Sequence, residues 1–257
     1  MMIHKLSDVH PSAKIGDQVE IGPFTSIAAD VEIGEGTWIG PNVTIMDGAR
    51  IGANCRIFPG SVISAVPQDL KFEGEETTVE IGDRTTIREC VTINRGTKAY
   101  GRTTLGEDCL IMAYVHIAHD CIIGNRVILV NSVALAGHVE VGDWAIISGL
   151  SALHQFVKIG NHVMVGGGAM VRKDVPPFIT AAGDPLTYAG VNSVGLRRRS
   201  FHNDTIREIQ DIYRILYQSG KNISQALEVV KAEYGQSTVA KEIIAFIDAS
   251  DRGLIRK

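Results

Sequence analysis

Four of the chain's eight histidines fall between residues 116 and 154: His116, His119, His138 and His154. Grouped imidazoles perform two kinds of chemistry. Three of them can hold zinc with its fourth position open for a reacting water, as in the hydration of carbon dioxide. A single neutral imidazole can instead act as a general base, taking the proton from an alcohol or amine nucleophile. Asp120 directly follows His119, and Gln155 directly follows His154. Such neighbours suit a base whose ring is held by a hydrogen bond inside a polar substrate cleft, which is the preferred reading; zinc is the alternative.

A period of six must bring these side chains together. From Val9 to Val171 every sixth residue lies in one frame of 28 slots, and only Asp69, Glu75 and Ala99 are not large aliphatic residues. Glycine often follows the aliphatic residue, as in Ile15-Gly16, Ile33-Gly34 and Ile123-Gly124, and a small residue usually takes the fifth place, as Ser61 and Cys109 do. An amphipathic helix needs a period near 3.6 and a half-buried strand a period of 2, so neither explains the frame. A hexapeptide repeat is the signature of a parallel β-helix. Three edges make one triangular coil, with the aliphatic and small residues inward and the glycine relieving the corner.

Sextets three apart stack on one edge of such a prism, so those beginning at Ile117, Leu135 and Leu153 lie one above another. This places His119, His138 and His154 on one edge, with His116 leading into it, all within about 10 Å at a coil spacing of ~4.8 Å. The interruptions at 64–80 and 94–104 preserve the frame and carry loop-like sequence, including Pro67-Gln68-Asp69 and Gly96 to Gly101. They read as loops excluded from the prism, a usual location for function. The remaining sextets build roughly eight coils, a rod about 40 Å long.

The repeat stops at Val175-Pro176-Pro177, and the chain turns helical. Ile206, Ile209, Ile212, Tyr213, Leu216 and Tyr217 form one apolar stripe closed by Gly220, and two shorter helices follow at about 224–234 and 237–249. The expected division is therefore a prism over 1–190 and a helical domain over 191–257. With 257 residues and a net charge of −4, the composition shows no global bias toward nucleic acid or membrane. No apolar run is long enough for a signal peptide or a membrane span, so a cytoplasmic protein is expected. Cys55, Cys90, Cys109 and Cys121 lack Cys-x-x-Cys spacing and are expected to be reduced thiols.

Several segments together resemble one family: His116-Ile117-Ala118-His119-Asp120, Leu135-Ala136-Gly137-His138, Leu153-His154-Gln155-Phe156, Pro67-Gln68-Asp69-Leu70-Lys71-Phe72, Gly195-Leu196 before Arg197-Arg198-Arg199, and the closing Arg252-Gly253-Leu254-Ile255-Arg256. Their order and spacing resemble the UDP-N-acetylglucosamine O-acyltransferases of lipid A biosynthesis over essentially the whole chain. A related N-acyltransferase would carry an N-terminal nucleotide-binding domain, for which a repeat beginning by residue 9 leaves no room.

The resemblance implies a left-handed β-helix that moves a (3R)-hydroxyacyl chain from acyl carrier protein to the 3-hydroxyl of UDP-N-acetylglucosamine, with no metal or other cofactor. It implies His119 as general base, Asp120 as the residue orienting its ring, and the Gly137 backbone N–H as the oxyanion donor. It makes Gln68, Asp69, Lys71, Asn94, His116, His138, His154 and Gln155 sugar and phosphate contacts, with Asn192, Arg198 and Arg199 at the nucleotide end. Arginine forks suit a diphosphate on physical grounds as well, although Arg197 to Arg199 reads equally as a solvated turn before a helix. Arg172, Lys173 and Arg197 are candidates for docking an acidic carrier protein. Three positions depart from the family pattern: Asn94 stands in place of His, Val194 in place of Glu, and Met170 in place of a small residue bounding the acyl groove. Family members form homotrimers with the site between neighbours. A coenzyme A-dependent acetyltransferase is a further alternative.

Overall fold

The computed structural model describes residues 2–256. Short strands form three sheets of 11, 9 and 8 strands, the faces of a triangular prism, all paired in parallel except Thr187–Val191, which ends the first sheet antiparallel to Ile179–Ala182. The first face begins with Met2–Ile3, the second with Asp8–Val9 and the third with Lys14–Ile15; the chain then cycles through them in order. This is a left-handed parallel β-helix with a small helical region at its C-terminal end.

Inward aliphatic residues stack in unbroken columns. On the first face Ile21, Ile39, Ile57, Ile87, Ile111, Leu129, Ile147 and Val165 are consecutive partners. The sequence step is 18 residues except at Ile57–Ile87 and Ile87–Ile111, where it is 30 and 24. The surplus lies in two loops. Beside them the strands Val62–Ala65, Thr78–Ile81 and Arg102–Leu105 extend to four residues, and the strand ending at Asn94 to three, so the segments outside the prism are 66–77 and 95–101.

The corners work differently from the expectation that the glycine after each aliphatic residue supplies the bend. The left-handed conformation occurs two residues later, mostly at non-glycine residues such as Arg84 (φ 58°), Asp120 (φ 58°), His138 (φ 61°) and Phe156 (φ 64°). Each costs about 1 kcal/mol, offset by a backbone bond to the coil before: Arg84 N–H donates to Ala53 O at 2.8 Å and His138 N–H to His119 O at 3.1 Å. The earlier glycine answers crowding instead. A Cβ on Gly34 would stand 2.5 Å from the Gly52 carbonyl carbon of the next coil.

Three of the cysteines, Cys55, Cys109 and Cys121, are buried in inward slots, whereas Cys90 is exposed at a left-handed corner; all four are free. Helix α1 spans Ser193–Arg198, α2 Asn203–Gln218, α3 Ile223–Tyr234 and α4 Thr238–Asp248. Asn222 and Gln225 form a capping box on α3 and Ser237 caps α4, which fixes where these helices start. The α2 stripe buries Ile206, Ile209, Ile212, Tyr213 and Leu216, and the Tyr213 hydroxyl donates to Pro177 O at 2.6 Å where the repeat ends. Among the described residues no helix is long and apolar enough to cross a membrane.

Where cap meets prism, His162 lies among Trp144, Phe178 and Phe201, with Arg199 Nη1 3.3 Å from its Nδ1. Burial, then the Arg199 charge, pushes His162 down to about 4, against an opposing pull from Asp143. The unfolded chain therefore takes this proton first. The contribution of neutral His162 is complete above its ordinary value near 6.5 and is lost as pH falls from there toward 4. His162→Phe, which keeps the aromatic packing, is expected to flatten that part of the Tm-against-pH curve; an unchanged slope is the contrary result. Gly34→Ala is expected to destabilise by about 2 kcal/mol or more through backbone overlap, measured by urea unfolding against Gly168→Ala, where a Cβ meets nothing within 4 Å and only the left-handed backbone is strained.

Candidate active site

The columns that build the core also assemble the histidines. Ile117, Leu135 and Leu153 are register partners on the second face, so the turns after them stack at the corner leading to the third. The His119 and His138 rings meet edge to face with centroids 5.2 Å apart. His138 in turn stacks on Phe156 at 4.5 Å and meets the edge of Tyr100 at 5.2 Å.

Asp120 is the fully buried anchor of this corner. Its Oδ2 accepts from the Thr97 hydroxyl at 2.6 Å and lies 2.8 Å from His119 Nδ1; its Oδ1 accepts from the backbone N–H groups of Thr97 at 3.0 Å and Tyr100 at 3.2 Å. Burial pushes this carboxyl up, but the bonds from Thr97 and His119 outweigh it and hold the group below the ordinary carboxylate value. The 95–101 loop is thus clamped to Asp120. An ionised Asp120 accepts from His119 Nδ1–H, which leaves the His119 Nε2 lone pair free.

Gly137 lies directly against that ring. A Cβ here would be 2.6 Å from His119 Cε1 and 2.8 Å from Nε2, so no other residue lets the imidazole occupy its position. The Gly137 N–H makes no hydrogen bond among the described residues. On the third-to-first edge the N–H at this place is satisfied in several corners by a side chain from the next coil, as when Asn125 N–H donates to Asp143 Oδ1 at 2.7 Å and Asp143 N–H to Asn161 Oδ1 at 2.7 Å. On the histidine edge the N–H groups of His119 and Gln155, like that of Gly137, have no such acceptor among the described residues. The donor beside His119 is left open.

His138 is held below its ordinary value, first by burial and also by the charge of His119, against the pull of Asp120 and Asp69; burial likewise lowers His116. His138 Nδ1 is buried without a partner among the described residues. His116 points outward with Nδ1 2.8 Å from the Thr92 hydroxyl. His154 and Gln155 are exposed on the same edge, and the Arg252 guanidinium reaches His154. Asp69 influences His138 from the 66–77 loop, whose Gln68 and Lys71 are exposed.

Donor occupancy disfavours zinc. His119, Asp120 and His138 present atoms within 4.8 Å of one another, but both Asp120 oxygens are occupied by the four contacts above. His154 Nδ1 lies 2.6 Å from an arginine, and a guanidinium repels a cation. Among the described residues the three free imidazoles of a zinc site are not assembled.

The other sequence candidates divide: Asn94 and Met170 to Lys173 lie on the second face or at its corner, in coils before and after the histidines, whereas Asn192, Arg198 and Arg199 lie at another edge. Asn94 is 2% exposed and spends its amide donor on Val66 O at 3.0 Å, fastening the 66–77 loop. Asn192 caps α1, accepting from Gly195 N–H at 3.2 Å and donating to His162 O at 2.9 Å. Arg199 donates to Trp144 O at 2.9 Å and lies over that ring, which Arg126 also covers. With Arg198 these residues line a cavity of about 570 Å³ at the corner between the third and first faces. Arg197 and Arg198 are exposed in the last turn of α1 and Arg199 caps it in the turn before α2, so the segment is not part of the histidine edge within this chain. Met170 is 57% exposed and tops an outward column running His116, Ala134, Ala152, Met170. Arg172 and Lys173 are exposed just beyond, and Lys173 borders a cavity of about 690 Å³ with Tyr217, Lys221 and Arg256.

Thr97 and Tyr100 were marked in the sequence only by their place in the in-frame Gly96 to Gly101 loop, and Phe156 and Arg252 only as members of segments that carry the family resemblance, with no role assigned to any of the four.

Comparison with known proteins agrees with this geometry. Residues 174–255 match the family model described as UDP-N-acetylglucosamine O-acyltransferase, domain 2, and residues 30–65 and 102–137 match the bacterial transferase hexapeptide repeat. The chain is 50% identical to an acyl-[acyl-carrier-protein]–UDP-N-acetylglucosamine O-acyltransferase from Janthinobacterium sp. (strain Marseille), covering 99% of each. The crystal structure of a UDP-N-acetylglucosamine acyltransferase from Bacteroides fragilis is 51% identical and superposes with a TM-score of 0.97, over 99% of this chain and 100% of that one. The Arabidopsis enzyme of the same description, at 30% identity, gives a TM-score of 0.86 over 99% of this chain and 100% of that one. A stacked histidine–aspartate pair, a glycine amide held open beside it and this likeness along the whole chain lead to one conclusion: the protein belongs to the UDP-N-acetylglucosamine O-acyltransferase family.

Proposed function

We propose that the chain transfers a (3R)-hydroxyacyl group from acyl carrier protein to the 3-hydroxyl of UDP-N-acetylglucosamine, the first step of lipid A biosynthesis. The observation that carries the chemistry is the buried Asp120 carboxylate on His119 Nδ1 at 2.8 Å, with Nε2 beside the open Gly137 N–H. In this reading His119 Nε2 removes the proton of the sugar hydroxyl as its oxygen attacks the thioester carbonyl. Asp120 stabilises the imidazolium that forms, and the Gly137 N–H donates to the oxyanion. Collapse of the tetrahedral intermediate expels the carrier thiolate, which takes the proton back from His119. No covalent enzyme intermediate is needed.

His116, His138, His154, Gln155, Gln68, Asp69 and Lys71 serve as substrate contacts around this centre, and His138 Nδ1 is a buried atom awaiting a partner. Asn94 acts by holding the 66–77 loop. Asn192, Arg198 and Arg199 serve the nucleotide end from a different prism edge, which supports a homotrimer in which one copy supplies the histidine edge and its neighbour the arginines. Met170 bounds the acyl groove running over Ala134 and Ala152, and its flexible thioether can fold aside. Arg172, Lys173 and Arg197 dock the acidic carrier. Three buried free thiols suit a reducing cytoplasm. The donor geometry gives no support to the zinc alternative, and the relatives named for an acyl-carrier-protein donor do not favour coenzyme A.

The test is to combine the purified protein with UDP-N-acetylglucosamine and 3-hydroxyacyl carrier proteins of several lengths, and to weigh the product. A nucleotide heavier by one hydroxyacyl group supports the proposal; transfer from acetyl-coenzyme A alone contradicts it. His119→Ala is expected to reduce turnover at least about 10³-fold while the protein still folds, with Tm lowered modestly because the 15% exposed ring also bonds the buried Asp120 carboxylate, which keeps its three donors from the 95–101 loop. Gly137→Ala is expected to cost at least about 100-fold by displacing the ring while keeping the backbone N–H. Retained activity in either variant would remove the assigned role.

A further inference from the structure

The C-terminal segment after α4 crosses the end of the prism and is fastened on both sides of Arg252. Ahead of it, Lys158 Nζ donates to Ala249 O at 3.1 Å and the Ser250 hydroxyl to Asp174 Oδ2 at 2.6 Å. Beyond it, Asp174 N–H donates to Gly253 O at 3.0 Å, Ile255 N–H to Asp174 O at 3.0 Å, and Tyr188 N–H to Arg256 O at 2.8 Å. Asp174 is fully buried and Ile255 is 4% exposed. The strap thus brings one half-buried guanidinium to the histidine edge, with Arg252 Nη2 2.6 Å from His154 Nδ1. Among the described residues no carboxylate pairs with Arg252 at ion-pair distance.

A guanidinium only donates, so this bond requires a lone pair on His154 Nδ1 and places the ring proton on Nε2. The Gln155 carbonyl, 3.2 Å from the same Nδ1, favours the opposite tautomer, in which Nδ1 carries the proton. The shorter, charge-assisted contact prevails. We propose that Arg252 is a positioning residue that fixes His154 as an Nε2–H donor aimed at an oxygen of the sugar nucleotide. The substrate half of this proposal rests on the function given above; the tautomer half does not.

The test compares the full-length protein with Arg252→Met and Arg252→Lys. Nitrogen-15 NMR of the histidine-labelled, unliganded protein, with His154 assigned by its loss in His154→Gln, reports which ring nitrogen carries the proton. Nε2–H is expected in the wild type and in Arg252→Lys, and Nδ1–H in Arg252→Met. In steady-state assays Arg252→Met is expected to raise KM for UDP-N-acetylglucosamine roughly tenfold with kcat within about twofold, the signature of one lost binding contact, and Arg252→Lys to restore most of it. Tm should stay unchanged, since the anchors at Ser250, Gly253 and Ile255 remain. Nδ1–H in the wild type, or Nε2–H persisting in Arg252→Met, overturns the proposal. A tautomer switch with unchanged KM overturns its substrate half. If no transfer occurs in any variant, the proposed function fails while the NMR result still decides the tautomer.

Discussion

Backbone pairing between successive coils is the constraint on which everything else depends. Each coil is locked to the next by parallel bonds and by the N–H of a left-handed corner residue reaching the preceding coil, as Arg84 reaches Ala53 and Trp144 reaches Asn125. Because side chains alternate in and out along a strand, a slip of one residue would turn the isoleucine columns outward. Extra residues are therefore accommodated in loops that leave the prism and re-enter it in register, so the columns step by 30 and 24 residues around the excluded loops without losing alignment. The same locking gives the active edge its rigidity: His119, Gly137 and His138 sit on consecutive corners whose spacing the core dictates.

Electrostatics makes this edge the candidate for proton chemistry. A carboxylate fully removed from solvent costs several kcal/mol unless its oxygens are satisfied. Asp120 meets that requirement with three donors from the 95–101 loop and the His119 ring. One set of bonds thereby orders a loop, keeps the carboxylate ionised and fixes the His119 tautomer. His138, held neutral mainly by burial, adds no competing cation beside it.

The periodic part of this molecule was legible in the sequence because a repeat reports each inward position directly. The stacking of His119, His138 and His154 followed from counting sextets, and the α2 stripe from its 3.6 period. The pattern is silent where a residue's role depends on what crosses it from elsewhere. Gly34 looked like a bend and is a clearance; Asn94 and Asn192, read as substrate contacts, also have structural bonds that no period announces, their amide N–H groups donating to Val66 O and His162 O. The contacts of Thr97 and Arg252 could not be read because excluded loops and a terminal strap have no period relating them to Asp120 and His154, 23 and 98 positions away.

The triangular section also bears on how the two ends of a nucleotide substrate are held. Within one chain the histidine edge lies between the second and third faces, and the Trp144–Arg126–Arg199 cluster between the third and first. A rigid prism cannot fold one edge onto another, and Arg199 is fixed in place by Trp144 O and His162. If both groups serve one substrate, the arginines must come from a second copy whose own edge faces the first. An interface of that kind repeats by rotation, and three copies around one axis close it with every histidine edge served. Under the proposed function, the fold that makes the chemistry rigid within a chain would thereby make completion of the site a property of the assembly.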